Sequence, residues 1–263
     1  MLDLGKSPED VSLTDDGCIS FLRWALPRLR LRWEGFRKPR RQLCRRIRAR
    51  AAELELDGFG AYRAHLEARP AEWAVLDRLC RVTISRFYRD RRVWDALHAE
   101  LDPRAIWSAG CASGEEAYTA ALVWPEADVL ATDADPALLE RAARGCYPES
   151  ALKELPSELR ERGFDGRCVR DEVKRRVTFV LHDVREPPPT GRFDLVLCRN
   201  LVFTYFAEEL QLEVGRGLAA ALAPDGVLVV GTHEVPPAAL DELELWLPCA
   251  YRRTRSQASA RVR

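Results

Sequence analysis

The sequence predicts an α/β fold, a Rossmann-like parallel sheet preceded by a small all-helical N-terminal domain. Three observations predict it. Apolar runs of strand length recur from Ala105 onward, with helical segments between most of them, the pattern of a parallel sheet covered by helices. The first run ends in a small-residue turn that opens a helix, Trp107-Ser-Ala-Gly-Cys-Ala-Ser-Gly-Glu-Glu-Ala-Tyr118. The second ends on an acid, in Ala131-Thr-Asp-Ala-Asp135. Strand, tight turn, helix and Asp-tipped strand make the opening half of a nucleotide-binding sheet.

The elements follow in order. Residues 1 to about 16 are polar and read as a loose start. From Cys18 to Arg78 the periodicity is helical, and Leu43, Ile47, Ala51 and Leu54 form one apolar stripe. Pro39 stands near the start of that helix, where proline is tolerated, and Asp57-Gly58 ends it. Phe59 to Leu66 and Ala71 to Leu79 read as two more helices separated by Pro70. Thr83 to Asp90 is a connector and Arg92 to Leu101 a linking helix. Strands are predicted at Ala105–Trp107, Val129–Ala131, Val177–Leu181, Phe193–Cys198 and Val227–Val230. A helix from Leu210 to Leu222 ends at Pro224-Asp225-Gly226, and Leu243 to Arg253 supplies two closing strands. The expected division is a helical domain over 1–90, an α/β domain over 91–256 and a tail at 257–263.

Composition narrows the class. Forty-one basic and forty-one acidic residues cancel, so the whole molecule carries no electrostatic bias. The eight cysteines include no Cys-x-x-Cys pair; reduced thiols in a cytoplasmic protein and no metal site are the expectation. No apolar run is long enough to span a bilayer, and the N-terminus does not read as a signal peptide.

The turn motif indicates the ligand. Gly110 and Gly114 allow close backbone approach. Their spacing is not the dinucleotide Gly-x-Gly-x-x-Gly, and Glu115 and Glu116 follow at once. Two carboxylates at a helix start suit the dipole but repel a pyrophosphate. They suit a cationic ligand rich in amine and hydroxyl groups, such as S-adenosyl-L-methionine. The competing reading is an ordinary turn with two solvated acids.

Four segments stand in order: Thr83-Ile-Ser-Arg-Phe-Tyr-Arg-Asp90, Ser108–Glu116 with Thr132-Asp133, Phe193-Asp-Leu-Val-Leu-Cys-Arg-Asn200, and Thr204-Tyr-Phe206. Together they resemble the chemotaxis-receptor methyltransferase family, the CheR-type enzymes that methylate glutamate side chains with S-adenosylmethionine. The resemblance runs from about residue 18 to 253. It implies that Asp133 holds the ribose hydroxyls and that Glu116 faces the amino-acid portion of the cofactor. It implies that Thr83, Ser85 and Arg89 reach over the cofactor, that Asp183 and Val184 flank the adenine, and that Cys198 and Arg199 line the pocket where the fourth strand ends. Such ligands bind beyond the carboxyl ends of the strands.

A glutamate acceptor is ionised at neutral pH, with a reference pKa of about 4.3, so no strong base is needed. The task is alignment of oxygen, methyl carbon and sulfur. Arg89 is expected to hold the acceptor carboxylate and Tyr205 to position acceptor or cofactor with its hydroxyl. Two departures from the family pattern stand out. One extra residue separates Asn200 from Tyr205, a phase change of about 100° on a helix, which leaves Thr204 at the unshifted position. The insertion at about 148–176 is short for a receptor-tethering subdomain, though residues 164–170 suit a small hairpin.

Between Arg28 and Arg50 eleven bases face the single acid Glu34. Arg41, Arg45 and Arg48 share a helix face that suits an acidic, receptor-like protein partner; a plain solvated face is the alternative. From Arg37 to Arg50 no aromatic residue is interleaved as a base-stacking platform for nucleic acid. A small-molecule or non-receptor protein acceptor, or a non-catalytic sensor of the cofactor, are the other functions this sequence admits.

Overall fold

A computed structural model describes residues 15–254. The loose start and the basic tail at 257–263 lie outside the described residues, except that Asp15 and Asp16 open the first helix. The described residues divide into two compact units, 15–82 with Tyr205–Ala207, and Thr83–Thr204 with 208–254. The boundary falls at 82 rather than 90, because the connector packs with the α/β unit: the Phe87 amide donates to the Ala151 carbonyl and the Tyr88 amide to Thr119 Oγ1.

The helical unit contains α1 (Asp15–Ala25), a 3-10 turn (Leu26–Leu29), α2 (Trp33–Phe36), α3 (Arg40–Glu53), α4 (Gly58–Ala68) and α5 (Glu72–Leu79). The stripe read from the sequence is the buried face of α3: Leu43, Ile47 and Ala51 are buried. They share a core with Phe21, Leu22, Tyr62, Leu66 and Leu76. Glu72 is buried too, and survives there because Arg50 forks onto both its oxygens at 2.9 Å and the Tyr62 hydroxyl donates at 3.0 Å. Tyr205–Ala207 belongs here through an antiparallel bridge from Phe206 to Leu31, with the Arg32 amide donating to the Tyr205 carbonyl.

The α/β unit begins with α6 (Arg91–Glu100) and then alternates: β1 (Ala105–Ala109), α7 (Glu115–Val123), β2 (Asp128–Asp133) and α8 (Pro136–Arg144). The insertion follows as α9 (Glu149–Leu152), α10 (Ser157–Gly163), the two-residue strands β3 (Phe164–Asp165) and β4 (Cys168–Val169), and α11 (Asp171–Lys174). The hairpin is thus present, reduced to two residue pairs. Then come β5 (Val177–Leu181), β6 (Phe193–Leu197), α12 (Val202–Tyr205), α13 (Glu208–Ala221), β7 (Leu222–Val229), β8 (Leu243–Leu247) and β9 (Ala250–Arg253). The sheet order is β5-β2-β1-β6-β7-β9-β8, parallel as far as β7 and antiparallel beyond. Strand order reverses between β1 and β6, which places the ligand crevice at their carboxyl ends. Pro224-Asp225-Gly226 does not separate helix from strand as expected. It bulges within β7, where the register to β6 jumps from Phe193↔Leu222 to Leu195↔Val227.

Pleating assigns the faces. Ile106, Leu195, Leu197, Val227 and Val229 join the buried α7 residues in one core. Trp107, one residue on from Ile106, lines a cleft with Val214 and Leu218 of α13. No helix among the described residues is long and apolar enough to cross a membrane.

The cysteines correct the expectation of eight reduced thiols. Cys18 of α1 is bonded to Cys44 of α3, and Cys146 to Cys168. Their partners stand 26 and 22 residues apart in sequence. Only the packing of α1 on α3 and the closure of the hairpin onto the end of α8 brings them together, so no local spacing announces them. Cys80, Cys111, Cys198 and Cys249 are free.

Candidate functional site

The turn after β1 is built by backbone groups. The amides of Gly110 and Cys111 both donate to the Thr132 carbonyl, at 2.8 and 2.9 Å. Gly110 and Gly114 have φ of +77° and +91°, which favours glycine. The space a side chain would take at Gly110 is filled by Leu201, and at Gly114 by Ala142 and Tyr147. Both glycines therefore serve the turn and its packing.

Asp133 ends β2 beside this turn. Its Oδ2 accepts from the Ala112 amide and its Oδ1 from the Asp135 amide, both at 2.9 Å. The two bonds fix the carboxylate at the end of the strand. Of the two acids that open α7, neither is a solvated charge. Glu115 is buried and accepts from Ser113 Oγ on both oxygens. Glu116 has 15% of its side chain exposed. It accepts from Ser108 Oγ at 2.7 Å and lies 3.6 Å from the Arg199 guanidinium. Burial pushes its carboxyl above the ordinary range, against the opposing charge of Arg199.

Arg199 follows β6 and is 4% exposed. It donates to Asp90 Oδ2 at 2.6 Å and to the Arg89 carbonyl at 3.0 Å. Its guanidinium carbon stands 5.7 Å from the centre of the Trp94 ring. Its Nε is buried and has no partner among the described residues. The Glu116 carboxylate is the nearest acid to it on α7. Arg89 is partly exposed, with a 3.2 Å bond to the Ile84 carbonyl and its Nε 4.0 Å from Asp90. Thr83 and Ser85 are half-buried in the irregular connector, flanking the exposed Ile84.

Asp183 is paired with Arg185, which donates to it from its backbone amide, Nε and a terminal nitrogen. Val184 lines the Trp107 cleft. Cys198 is fully buried, its amide bonded to the Val229 carbonyl, and burial drives its thiol far up. Tyr205 groups with the helical unit, where its ring lies 5.0 Å from that of Phe36. Thr204, at the unshifted position, donates its hydroxyl to Glu234.

Two residues escaped the sequence reading. Asp90 ends the Phe-Tyr-Arg-Asp motif beside Arg89 and is the direct partner of Arg199. Glu234 is a buried carboxylate just past β7. The signal that marks Asp133, an acid beyond an apolar strand, is present there too, weakened by the intervening Gly231-Thr-His.

Comparison with known proteins places the chain in a family. Residues 83–246 match the family described as CheR methyltransferase, SAM binding domain. A chemotaxis protein methyltransferase of Listeria monocytogenes is 31% identical over 212 residues, covering 73% of this chain and 80% of that protein. The chemotaxis protein methyltransferase of Salmonella typhimurium is 32% identical over 217 residues, 73% of this chain and 74% of that protein. An uncharacterized 104.1 kDa protein of Rhodobacter capsulatus is 32% identical over 215 residues, 72% of this chain, which spans 22% of that protein. The chain belongs to the CheR methyltransferase family, and its cofactor is S-adenosylmethionine.

Proposed function

We propose that the chain transfers the methyl group of S-adenosylmethionine to a glutamate side chain of an acidic protein. The observation that carries the proposal is the partly exposed guanidinium of Arg89, 4.0 Å from Asp90 at the edge of the buried Arg199–Glu116 pair. A cation at the rim of a cofactor site selects a carboxylate acceptor. The cofactor supplies a methyl group on a sulfonium. The protein's part is to hold and to aim. Glu116 takes the ammonium of the cofactor's amino-acid portion, and Arg199 Nε donates to its carboxylate. Asp133 takes the ribose hydroxyls; Thr83, Ser85, Cys198 and Val184 enclose the rest. Asp183 contributes through its backbone, its carboxylate being taken by Arg185. Arg89 orients the acceptor oxygen without binding so tightly that it quenches the nucleophile. Tyr205 is left to packing against Phe36.

On α3, Arg41 and Arg45 are exposed and make no ion pair among the described residues, whereas Arg48 lies half-buried over the Phe59 ring. In this reading the docking face for an acidic, receptor-like helix is Arg41 and Arg45, with Arg48 contributing less.

The test is chemical. The protein is incubated with methyl-labelled S-adenosylmethionine and a glutamate-rich helical protein, and the product is treated with alkali. A glutamyl methyl ester releases its label as methanol. Label that survives alkali is not held as a carboxyl ester and overturns the proposal. Cofactor binding with no transfer to any acidic protein favours a regulator instead.

A further inference from the structure

We propose that Glu234 is a positioning residue of the methyltransferase site, acting through the backbone of Asn200 on Arg199. Its Oε2 accepts from the amides of Asn200, at 2.7 Å, and Gly231, at 2.6 Å. Its Oε1 accepts from the Thr204 hydroxyl at 2.6 Å. The residue is 5% exposed and makes no ion pair among the described residues; three donors meet its two oxygens. A buried acid with no counter-ion is costly, and here it does what no short-range backbone bond does. It ties the turn after β6 to the turn after β7.

Arg199 lies between two such ties. On one side the Cys198 amide is bonded to the Val229 carbonyl at 2.9 Å. On the other the Asn200 amide is bonded to Glu234, which holds Asn200 at a φ of +57°. Left-handed backbone at a residue other than glycine persists where its surroundings enforce it. A side chain at Gly231 would strike the Asn200 amide group and approach Glu234 Oε2 to 2.8 Å, so a glycine at 231 keeps the contact open. With both ends of its peptide fixed, Arg199 reaches Glu116 and Asp90 with 4% exposure.

The inference rests on the cofactor site and not on the identity of the acceptor, so the test reads cofactor binding. Glu234→Ala, Glu234→Gln, Arg199→Lys and the Glu234→Ala/Arg199→Lys double variant are titrated with S-adenosylmethionine and S-adenosylhomocysteine by calorimetry. Loss of charge-assisted bonds should weaken both ligands in Glu234→Ala by about ten- to a hundredfold. Glu234→Gln offers its oxygen to the two amides and its amide to the Thr204 hydroxyl, so it should lose no more than about threefold. In the Arg199→Lys background Glu234→Ala should add little, because coupled residues are non-additive. If Glu234→Ala does not fold, Thr204→Val removes one tie and should show a smaller loss of the same kind. Fully additive costs, or a Gln variant as weak as Ala, overturn the proposal. Failure of the wild type to bind either ligand would instead overturn the site itself.

Discussion

Arg199 and Glu116 meet 3.6 Å apart, and Arg199 gives its shorter bond, 2.6 Å, to Asp90. The arginine thus joins three segments: the end of β6, the start of α7 and the connector. Its pull on Glu116 is smaller than the cost of burying that carboxylate, since the net direction of the Glu116 shift is upward. A carboxylate kept expensive in the free protein is suited to a cationic ligand that neutralises it.

The stability consequence has a definite sign. With its folded-state pKa raised, Glu116 binds protons in the folded chain at pH values where the unfolded chain, near the reference of about 4.3, has lost them. Stability therefore falls as pH rises through that window. Glu116→Gln removes the cost and should melt at a higher temperature than wild type at pH 7, by a few degrees. The difference should vanish near pH 4. Its ligand affinity should drop at the same time. Melting curves of both proteins across pH check this; a wild type more stable than the variant at pH 7 would show that Arg199 outweighs burial.

Asp133 is fixed by two backbone amides and aimed at the end of β2. Asp133→Ala removes the acceptor for ribose and frees the turn at Ala112, so binding of S-adenosylmethionine and S-adenosylhomocysteine should fall together, by about tenfold or more. Asp133→Asn keeps one acceptor oxygen and should fall between. Calorimetric titration decides; unchanged affinity in Asp133→Ala removes the residue from the site.

Legibility followed the range of the interactions. The order of strands and helices was readable because each depends on local periodicity: Ala105–Ala109, Val177–Leu181 and the closing pair at 243–253 stand where their apolar runs put them. The place of Asp133 at the tip of β2 was readable because it directly follows an apolar run. Asp90, Glu234 and the two disulfides depend on partners more than 20 residues away. The pairing of Asp183 with Arg185 is local, two residues apart, and depends on the turn that follows β5. Pro224-Asp225-Gly226 has turn composition, and the β6–β7 pairing absorbs it as a bulge.

Arg89 should matter to turnover more than to cofactor binding. Its side chain is spent on a weak bond to the Ile84 carbonyl and a distant ion pair, so little of the fold depends on it. Arg89→Ala should lose about two orders of magnitude or more in kcat/KM while affinity for S-adenosylhomocysteine changes severalfold at most. Near-normal turnover would take Arg89 out of the mechanism.

Tyr205 should act through its ring. Its ring lies against Phe36, 5.0 Å between centroids. Tyr205→Phe keeps that contact and should keep most activity, whereas Tyr205→Ala loses buried aromatic contact and should lower the melting temperature. A large loss of kcat in Tyr205→Phe at unchanged melting temperature would put the hydroxyl into the chemistry.

Docking through α3 predicts a separation by substrate size. Arg41 and Arg45 are exposed on one helix face, and a partner helix that pairs with them gains mainly in encounter rate and orientation. Arg41→Glu with Arg45→Glu should raise KM for a whole acidic protein by about tenfold or more, since reversing a charge replaces attraction with repulsion. The same change should be nearly silent on a short glutamate peptide that offers no acidic helix to α3. Added salt should shrink the difference between wild type and variant, because exposed charges are screened over about 10 Å at 0.1 M. Equal losses on protein and peptide would place the effect in the helical fold instead. A salt-independent loss would point to packing contacts on α3 in place of charge.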